Sequence, residues 1–193
     1  MADGSIRPLI DLKVNDRVKA IAPETGEIMT DKVYMFLDRQ VDSTQSFVVI
    51  DIEGHSRQLE LTSHHLIYAV VDDNVEFQDV EPIFAQELTE SHYIFIHSNG
   101  KLHRQKVSSI NHVVKKGFLA PVTFSGNIVV DGVVCSCYAL VDHQLAHTAM
   151  APARWFHEIY YLLANESHFY VDGVHWYGGM LSSIFFFLLP ANS

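Results

Sequence analysis

A short segment at residues 61–66, which reads LTSHHL, combines a hydroxyl and an imidazole. Thr62 and His65 are three residues apart, so a turn between two strands can place both side chains beside one amide bond. An imidazole has a pKa close to physiological pH and can protonate a departing amide nitrogen. The pattern is short and also occurs on surface turns that have no chemical role. It suggests peptide-bond cleavage only where other parts of the sequence agree.

The twelve histidines and two cysteines do not form a recognisable metal-binding pattern. His64 and His65 are adjacent, so on a strand they face opposite sides, and no H-E-x-x-H motif is present. Cys135 and Cys137 are two residues apart, which excludes a disulfide framework and supplies at most half of a zinc site. On a strand, the two thiols would share one face. We therefore expect no metal and no cofactor, and histidines that are mostly solvated.

The overall composition is that of a globular protein with an acidic balance. The chain has 193 residues, 48% of them hydrophobic and 19% charged, which suits one compact domain with or without an appendage. The net charge of −10 and the short, broken basic stretch at 101–116 argue against a nucleic-acid partner. No run of about 20 apolar residues is present to form an ordinary membrane-spanning helix.

Short strand patterns separated by turn residues fill the first 140 residues. Apolar runs and alternation of this length are typical of β-strands, and many of them in succession predict an all-β domain. The predicted strands lie at 47–52, 59–61, 66–71, 93–96, 128–130 and 133–134. The predicted turns lie at 24–27, 53–54, 99–100, 125–127 and 131–132.

Two parts of this β-rich region resemble each other. Residues 12–21 (LKVNDRVKAI) are followed by a Gly-x5-Lys-Val pattern at 26–33, and residues 88–96 (LTESHYIFI) by the same pattern at 100–107. Such self-similarity predicts two related β-subdomains that pack about a pseudo-twofold axis.

The sequence changes character near residue 142. Residues 143–165 have the apolar spacing of an amphipathic helix interrupted at Pro152. The apolar stretch 176–189 is too short to span a bilayer, and it can either lie in a membrane interface or pack as a tail helix on the β-domain. We accordingly divide the chain into regions 1–142 and 143–193.

Several blocks together resemble the Hedgehog C-terminal autoprocessing (Hint-type) domain in order and spacing. They are residues 4–38 from GSIRPLIDL to MFLD, LTSHHL at 61–66, APVTFSGNIVVDGVVCSCYA at 120–139, and HWY at 175–177. The resemblance covers nearly the whole chain, and the block at 120–139 is its most specific part.

This resemblance implies a fold and a reaction. The fold is the all-β Hint fold shared with self-splicing inteins, with two pseudo-symmetric subdomains and a C-terminal helical, apolar extension that recognises sterol. In the reaction, a cysteine converts the preceding peptide bond to a thioester. The hydroxyl of cholesterol or another sterol then attacks it and releases the upstream signalling domain as a sterol ester. Such precursors are processed in the secretory pathway.

The resemblance also assigns roles to individual residues. Thr62 and His65 match the family's Thr-x-x-His, which polarises and protonates the scissile amide. Asp38 matches the acidic residue that activates the sterol hydroxyl, although a carboxylate beside Arg39 is also suited to a structural ion pair. Cys137 matches a second cysteine near the nucleophile and a possible redox partner, and its alternative role is that of a small buried core residue.

One family feature is missing from these 193 residues. The nucleophilic cysteine, followed by phenylalanine, should lie about ten residues before the glycine that matches Gly4. Cys135 and Cys137 belong to a late strand and cannot replace it, so we expect the sequence to be part of a longer precursor. The main alternative is an inactive Hint remnant that binds sterol, membrane or protein. A splicing intein is disfavoured because Ala191 precedes Asn192 where a histidine is needed.

Overall fold

The computed structural model describes residues 1–72, 74–139 and 143–155. Within these ranges the chain forms short and long β-strands, single 3-10 turns, one short α-helix and a further helical stretch at 151–155. The strands are β1 (Arg17–Ile21), β2 (Ile28–Ile52), β3 (Leu59–Thr62), β4 (His65–Ile67), β5 (Ala69–Val70), β6 (Ile83–Phe84), β7 (Tyr93–Ser98), β8 (Lys101–Thr123), β9 (Asn127–Val130) and β10 (Val133–Ala139). The helix is α1 (His143–Ala149), and the 3-10 turns are Leu9–Asp11, Phe77–Asp79 and Ala85–Glu87.

The strands pair in antiparallel fashion, which confirms the all-β prediction. Their order is β1-β2-β8-β7-β10-β4-β6, with β3 beside β2, β5 beside β7 and β9 beside β10. The long strands β2 and β8 pair from Val33 opposite Thr123 to Ile52 opposite Val107, with several register shifts. This two-stranded ribbon joins the two halves of the molecule, one containing the β1–β2 hairpin and the other the β7–β8 hairpin.

The internal repeat detected in the sequence is confirmed as a structural repeat. It begins with the 3-10 turn that precedes each of two hairpins. The β1–β2 hairpin follows the 3-10 turn Leu9–Asp11, and the β7–β8 hairpin follows the 3-10 turn Ala85–Glu87. Leu12 and Leu88 end these turns, and the amide of each donates to the carbonyl of the first turn residue at 3.1 and 3.3 Å, respectively. Both leucines are buried, so each half anchors its hairpin in the same way.

The repeat continues inside the hairpins. The amide of Val33 donates to the carbonyl of Asp16 at 3.0 Å, and the amide of Val107 donates to the carbonyl of His92 at 2.9 Å. Both valines are buried, and each follows a lysine that pairs with the first residue of the preceding strand. The Gly-x5-Lys-Val pattern thus marks the same position in two related hairpins.

The buried side chains form two clusters, and β10 contributes to both of them. Val133, Cys135 and Cys137 belong to the larger core, whereas Val134 belongs to a smaller one. Alternation along a strand predicts a shared face for the two cysteines, and both of them lie in the larger core. Removal of these apolar groups from water is the main contribution that stabilises the packing of the strands.

The glycine turns lie where the sequence predicts them. Asn99 and Gly100, between β7 and β8, have φ angles of 51° and 75°. Asp131 and Gly132, between β9 and β10, have φ angles of 48° and 87°. Two consecutive positive φ angles are the requirement of a type I′ hairpin turn, which Asn-Gly and Asp-Gly fulfil best.

The strand predicted at 66–71 is divided at Tyr68. Its first part, β4, pairs with β10 and β6, whereas its second part, β5, pairs with β7. Tyr68 lies in the smaller core with its ring 4.8 Å from the ring of Phe77. The chain changes pairing partner at this residue, which an unbroken apolar run in the sequence cannot reveal.

The C-terminal region is described only as far as residue 155. Helix α1 ends at Ala149, residue 150 is a turn, and residues 151–155 are helical again, so the predicted interruption lies just before Pro152 and not at it. Ala146 and Met150 join the larger core. The remainder of the predicted helix, the apolar stretch 176–189 and the HWY motif at 175–177 lie outside the described residues, and the division at 142 stays a prediction. None of the helices described is long and apolar enough to cross a membrane.

Candidate functional site

The turn at residues 63 and 64 places Thr62 and His65 at the junction of two strand pairs. Thr62 ends β3 and lies opposite Phe47 of β2. His65 begins β4 and lies opposite Ala139 of β10. Both side chains are half-buried, whereas His64 between them is exposed. The two residues singled out by the sequence thus flank one turn, and of the two histidines only His65 is partly shielded from solvent.

A main-chain carbonyl holds the His65 ring. Nε2 of His65 lies 2.8 Å from the carbonyl oxygen of Ser136 in β10. Because a carbonyl oxygen can only accept, Nε2 carries the hydrogen and Nδ1 of the neutral ring has the lone pair. Burial lowers the pKa of His65, and the hydrogen bond to Ser136 opposes that effect only in part. At neutral pH the ring is therefore neutral, with Nδ1 able to accept a proton.

Asp38 on β2 is a half-buried carboxylate with one satisfied oxygen. Oδ2 accepts a hydrogen bond from Nε2 of Gln40 at 3.2 Å, while Oδ1 is buried without a hydrogen-bond partner among the described residues. Burial raises the pKa of Asp38, and hydrogen bonds from Gln40 and the Arg39 amide act in the opposite direction. A carboxylate with a raised pKa is a stronger base than an exposed one.

The alternative role of Asp38, an ion pair with Arg39, finds no support in the geometry. The Arg39 guanidinium donates to the carbonyl oxygens of Ile10 at 2.8 Å and Leu12 at 3.2 Å. It also lies 5.1 Å from the ring of Phe36. No salt bridge to Asp38 occurs among the residues that the structure describes. Arg39 instead fastens the N-terminal segment to β2.

Both cysteines are buried and unpaired. Sγ of Cys137 lies 3.5 Å from Oγ1 of Thr123, and its amide donates to the carbonyl of Gly126 at 2.8 Å. Burial raises the pKa of Cys137 to about 12 and also raises that of Cys135. A thiol that stays protonated is a poor nucleophile. The burial of Cys137 fits its role as a small core residue, and its redox role stays a prediction.

Strand β8 connects the surroundings of Asp38 with those of Cys137. Asp38 lies opposite Ala120, and three residues further along β8 Thr123 contacts Cys137. Within the described part of the chain, no hydrogen bond or ion pair joins the Asp38 carboxylate to Thr62, His65 or Cys137. The structure thus holds His65 against β10, while Thr62 and Asp38 both belong to strand pairs that include β2.

Two residues near the site were not recognised from the sequence as its parts. Ser136 supplies the carbonyl that orients His65, and Thr123 supplies the hydroxyl next to Cys137. Both fall inside the block at 120–139, so the block pointed to the right region. A contact made by a main-chain carbonyl leaves no mark in the residue type, which explains why Ser136 was missed.

The described residues offer no arrangement suited to a metal. Among them, no group of three or more His, Cys, Asp or Glu side chains is placed to hold an ion. A polar cleft lies beside Arg39 and is lined by Arg7, Ile10, Asp11, Lys13, Asp16 and Arg39. The Thr62 hydroxyl and the His65 imidazole can themselves supply hydrogen bonding and proton transfer.

Comparison with known sequences gives a family match over nearly the full chain. The family profile described as "Hint module" matches residues 1–190. The chain is 34% identical to the Tiggy-winkle hedgehog protein of Danio rerio and 32% identical to the Indian hedgehog protein of Gallus gallus, and each match covers 100% of this chain and 47% of the relative. Against Protein hedgehog of Drosophila pseudoobscura pseudoobscura the identity is 31%, over 100% of this chain and 42% of the relative. The chain thus spans less than half the length of these relatives.

Comparison with solved structures finds inteins. A mutant of the Ssp DnaB mini-intein variant M86 superposes with a TM-score of 0.58 at 14% identity, covering 73% of this chain and 87% of the intein. An intein from a hyperthermophile superposes with a TM-score of 0.53 at 15% identity, covering 62% of this chain and 70% of that chain. At such low identity these similarities establish the fold.

Proposed function

Since the chain belongs to the Hint module family, we propose that it is the autoprocessing domain of a Hedgehog-type precursor, which cleaves itself through a thioester and passes the upstream segment to a sterol. The observation that carries the proposal is the 2.8 Å contact between Nε2 of His65 and the Ser136 carbonyl. It leaves Nδ1 of a neutral, half-buried imidazole available for proton transfer beside Thr62.

In the first step a cysteine thiol attacks the carbonyl carbon of the residue before it. The thiol proton passes to Nδ1 of His65, and the Thr62 hydroxyl donates to the carbonyl oxygen as negative charge develops there. The C–N bond then breaks, and Nδ1 returns the proton to the departing amide nitrogen, which becomes a free amine. The C–S bond of the thioester replaces the peptide bond. A neutral imidazole suits this shuttle because it can both accept and return one proton.

Neither cysteine of this chain is suited to be that nucleophile. Cys135 and Cys137 are buried in the larger core, and burial keeps their thiols protonated. The proposal therefore assigns the attack to a cysteine outside these 193 residues, next to the scissile bond.

In the second step the hydroxyl of cholesterol or another sterol attacks the thioester. Asp38 takes the hydroxyl proton, the C–S bond breaks, and the sulfur leaves as a thiolate that regains a proton. The buried Oδ1 and the raised pKa of Asp38 support its assignment as this base. The acceptor would be recognised by the C-terminal region, with 176–189 as a candidate contact to membrane, and processing would take place in the secretory pathway.

The test joins the chain, preceded by a Cys-Phe-containing first strand, to a reporter protein. Release is followed by mass spectrometry with dithiothreitol, which intercepts the thioester, and with cholesterol. We expect release with both acceptors, with the mass of cholesterol added in the second case. His65→Ala should abolish both reactions, whereas His64→Ala, at the exposed neighbouring histidine, should leave both near the unsubstituted rate.

A second pair of variants separates the two steps. Asp38→Asn should slow transfer to cholesterol on the order of a hundredfold while release by dithiothreitol persists, because only the sterol hydroxyl needs a base. Asp42→Asn, at an exposed position on the same strand, is the matched control. Absence of any thioester in the unsubstituted fusion would contradict the proposal and favour the alternative, an inactive Hint domain that binds sterol, membrane or protein.

A further inference from the structure

The pairing of β10 with β4 is irregular at the point where His65 is held. Cys135 lies opposite Ile67 and Ala139 lies opposite His65, so four steps along β10 correspond to two steps along β4. The two additional residues form a bulge. A bulge interrupts the ladder of main-chain hydrogen bonds and redirects the groups within it, and such irregularities recur beside active sites.

Ser136 lies inside this bulge and makes hydrogen bonds with both its side chain and its main chain. Its Oγ accepts the amide hydrogen of Tyr138 at 3.0 Å, and its carbonyl oxygen accepts from Nε2 of His65 at 2.8 Å. The residue is fully buried, so a Tyr138 amide left without an acceptor would pay the full cost of desolvation. The hydroxyl thus stabilises the bulge, and the bulge turns the carbonyl toward the imidazole.

The opposite edge of β10 is regular at the same residue. Ser136 lies opposite Asn127 of β9, and residues 133–136 pair with β9 without a register shift. On this edge the pairing is regular as far as Ser136, whereas the register shift lies on the edge that pairs with β4.

We propose that Ser136 is a positioning residue for the first step: its hydroxyl maintains the β10 bulge, which aims its carbonyl at Nε2 of His65 and thereby selects the tautomer whose Nδ1 is free to shuttle the proton. The role in the first step rests on the proposed autoprocessing function. The orienting of His65 is a property of the folded chain and can be measured without turnover.

The test measures the His65 tautomer and the reaction rate in the same variants. Nitrogen-15 NMR of the histidine rings should show the Nε2–H tautomer for His65 in the unsubstituted chain. Ser136→Ala removes the acceptor of the Tyr138 amide, and we expect the Nδ1–H tautomer to appear together with a rate of dithiothreitol-induced release lower by about ten- to a hundredfold. Ser136→Thr keeps a hydroxyl and should restore the Nε2–H tautomer and most of the rate.

Ser109→Ala serves as the matched control, because it also removes a hydroxyl hydrogen bond, the one from Ser109 to Oδ2 of Asp51 at 2.8 Å. It should change neither the tautomer of His65 nor the rate. The proposal is overturned if the unsubstituted chain has His65 in the Nδ1–H form, a measurement that does not depend on whether any variant folds. It is also overturned if Ser136→Ala keeps both the tautomer and the rate while His65→Ala abolishes release, a result that would leave the proposed function intact.

Discussion

At the scale of single residues, two half-buried titratable groups, His65 and Asp38, have pKa values that move in opposite directions for one reason. Burial disfavours the charged form of each, so it lowers the pKa of His65 and raises that of Asp38. The two shifts bring the pKa of the His65 imidazole and the pKa of the Asp38 carboxyl closer to each other. That arrangement suits two successive proton transfers carried out at one pH.

The lowered pKa of His65 predicts a specific dependence of stability on pH. The pKa in the folded state lies below the ordinary value of 6.5, so the unfolded state binds the proton more readily. The stabilisation from this residue is complete above pH 6.5 and is lost as the pH falls through the folded-state pKa. We expect the free energy of unfolding to fall by up to about 1.4 kcal/mol per pH unit from this group.

Urea unfolding of the unsubstituted chain and of His65→Gln at a series of pH values between 7.5 and 5 measures this contribution. The variant should show a shallower decline, and His64→Gln at the exposed neighbour should decline as the unsubstituted chain does. Equal slopes for all three proteins would show that His65 is not buried in the folded state.

At the scale of elements, helix α1 packs against the turn between β8 and β9. The Tyr138 hydroxyl lies 2.9 Å from Nδ1 of His147, and Nη1 of Arg154 donates to the His147 carbonyl at 2.7 Å. Gly126 in the turn has a φ angle of +77°, and a Cβ there would lie 2.7 Å from Nδ1 of His147 and 3.0 Å from Cε2 of Tyr138. The helix can approach so closely only because this residue has no side chain.

Gly126→Ala should therefore lower the free energy of unfolding by about 2–4 kcal/mol, through a strained φ angle and a steric clash. Gly54→Ala is the matched control, because Gly54 has a φ angle of +68° but nothing within 4 Å of an added Cβ. It should cost only about 1–2 kcal/mol for the strain. Chemical denaturation of both variants measures the difference, and equal losses would argue against tight packing of α1 on this turn.

The elements also show what the sequence can and cannot predict. Strands β3, β7 and β9 and the Asn99-Gly100 turn are local patterns, and all were predicted. Strand β2 was recognised only at 47–52. Its middle part at 38–46 is largely polar and partly exposed, which removes the apolar signal there, whereas the more apolar part at 28–37 was not recognised as a strand. Thr62 and His65 were predicted because their chemistry lies in their side chains. The contribution of the Ser136 carbonyl depends on long-range pairing that residue types do not encode.

At the scale of the whole molecule, one buried side chain links the two halves. Oδ1 of Asn127 accepts from the Ile21 amide at 2.7 Å, and Nδ2 donates to the Ile21 carbonyl at 2.8 Å. Asn127 belongs to β9 and Ile21 to β1, and the two residues are fully buried. The amide side chain thus satisfies both main-chain groups of Ile21, much as a neighbouring strand would.

Asn127→Ala should lower the free energy of unfolding by about 2–4 kcal/mol, because it leaves an amide and a carbonyl of Ile21 buried without partners. Asn111→Ala, at an exposed position on β8, should change it by less than about 0.5 kcal/mol. The comparison is made by guanidinium unfolding followed by fluorescence. Similar small effects for both variants would show that the link between the halves contributes little to stability.

The distance along the chain between His65 and Ser136 has a consequence for protein synthesis. The imidazole and the carbonyl that orients it are separated by 71 residues. While a ribosome has translated the chain only as far as β9, Thr62 and His65 exist without that carbonyl. At about 5–20 residues per second, the interval between the two residues lasts roughly 4 to 14 seconds. Translation itself therefore delays assembly of the site, and under the proposed function a segment upstream of the chain would have this time to fold before the site is complete.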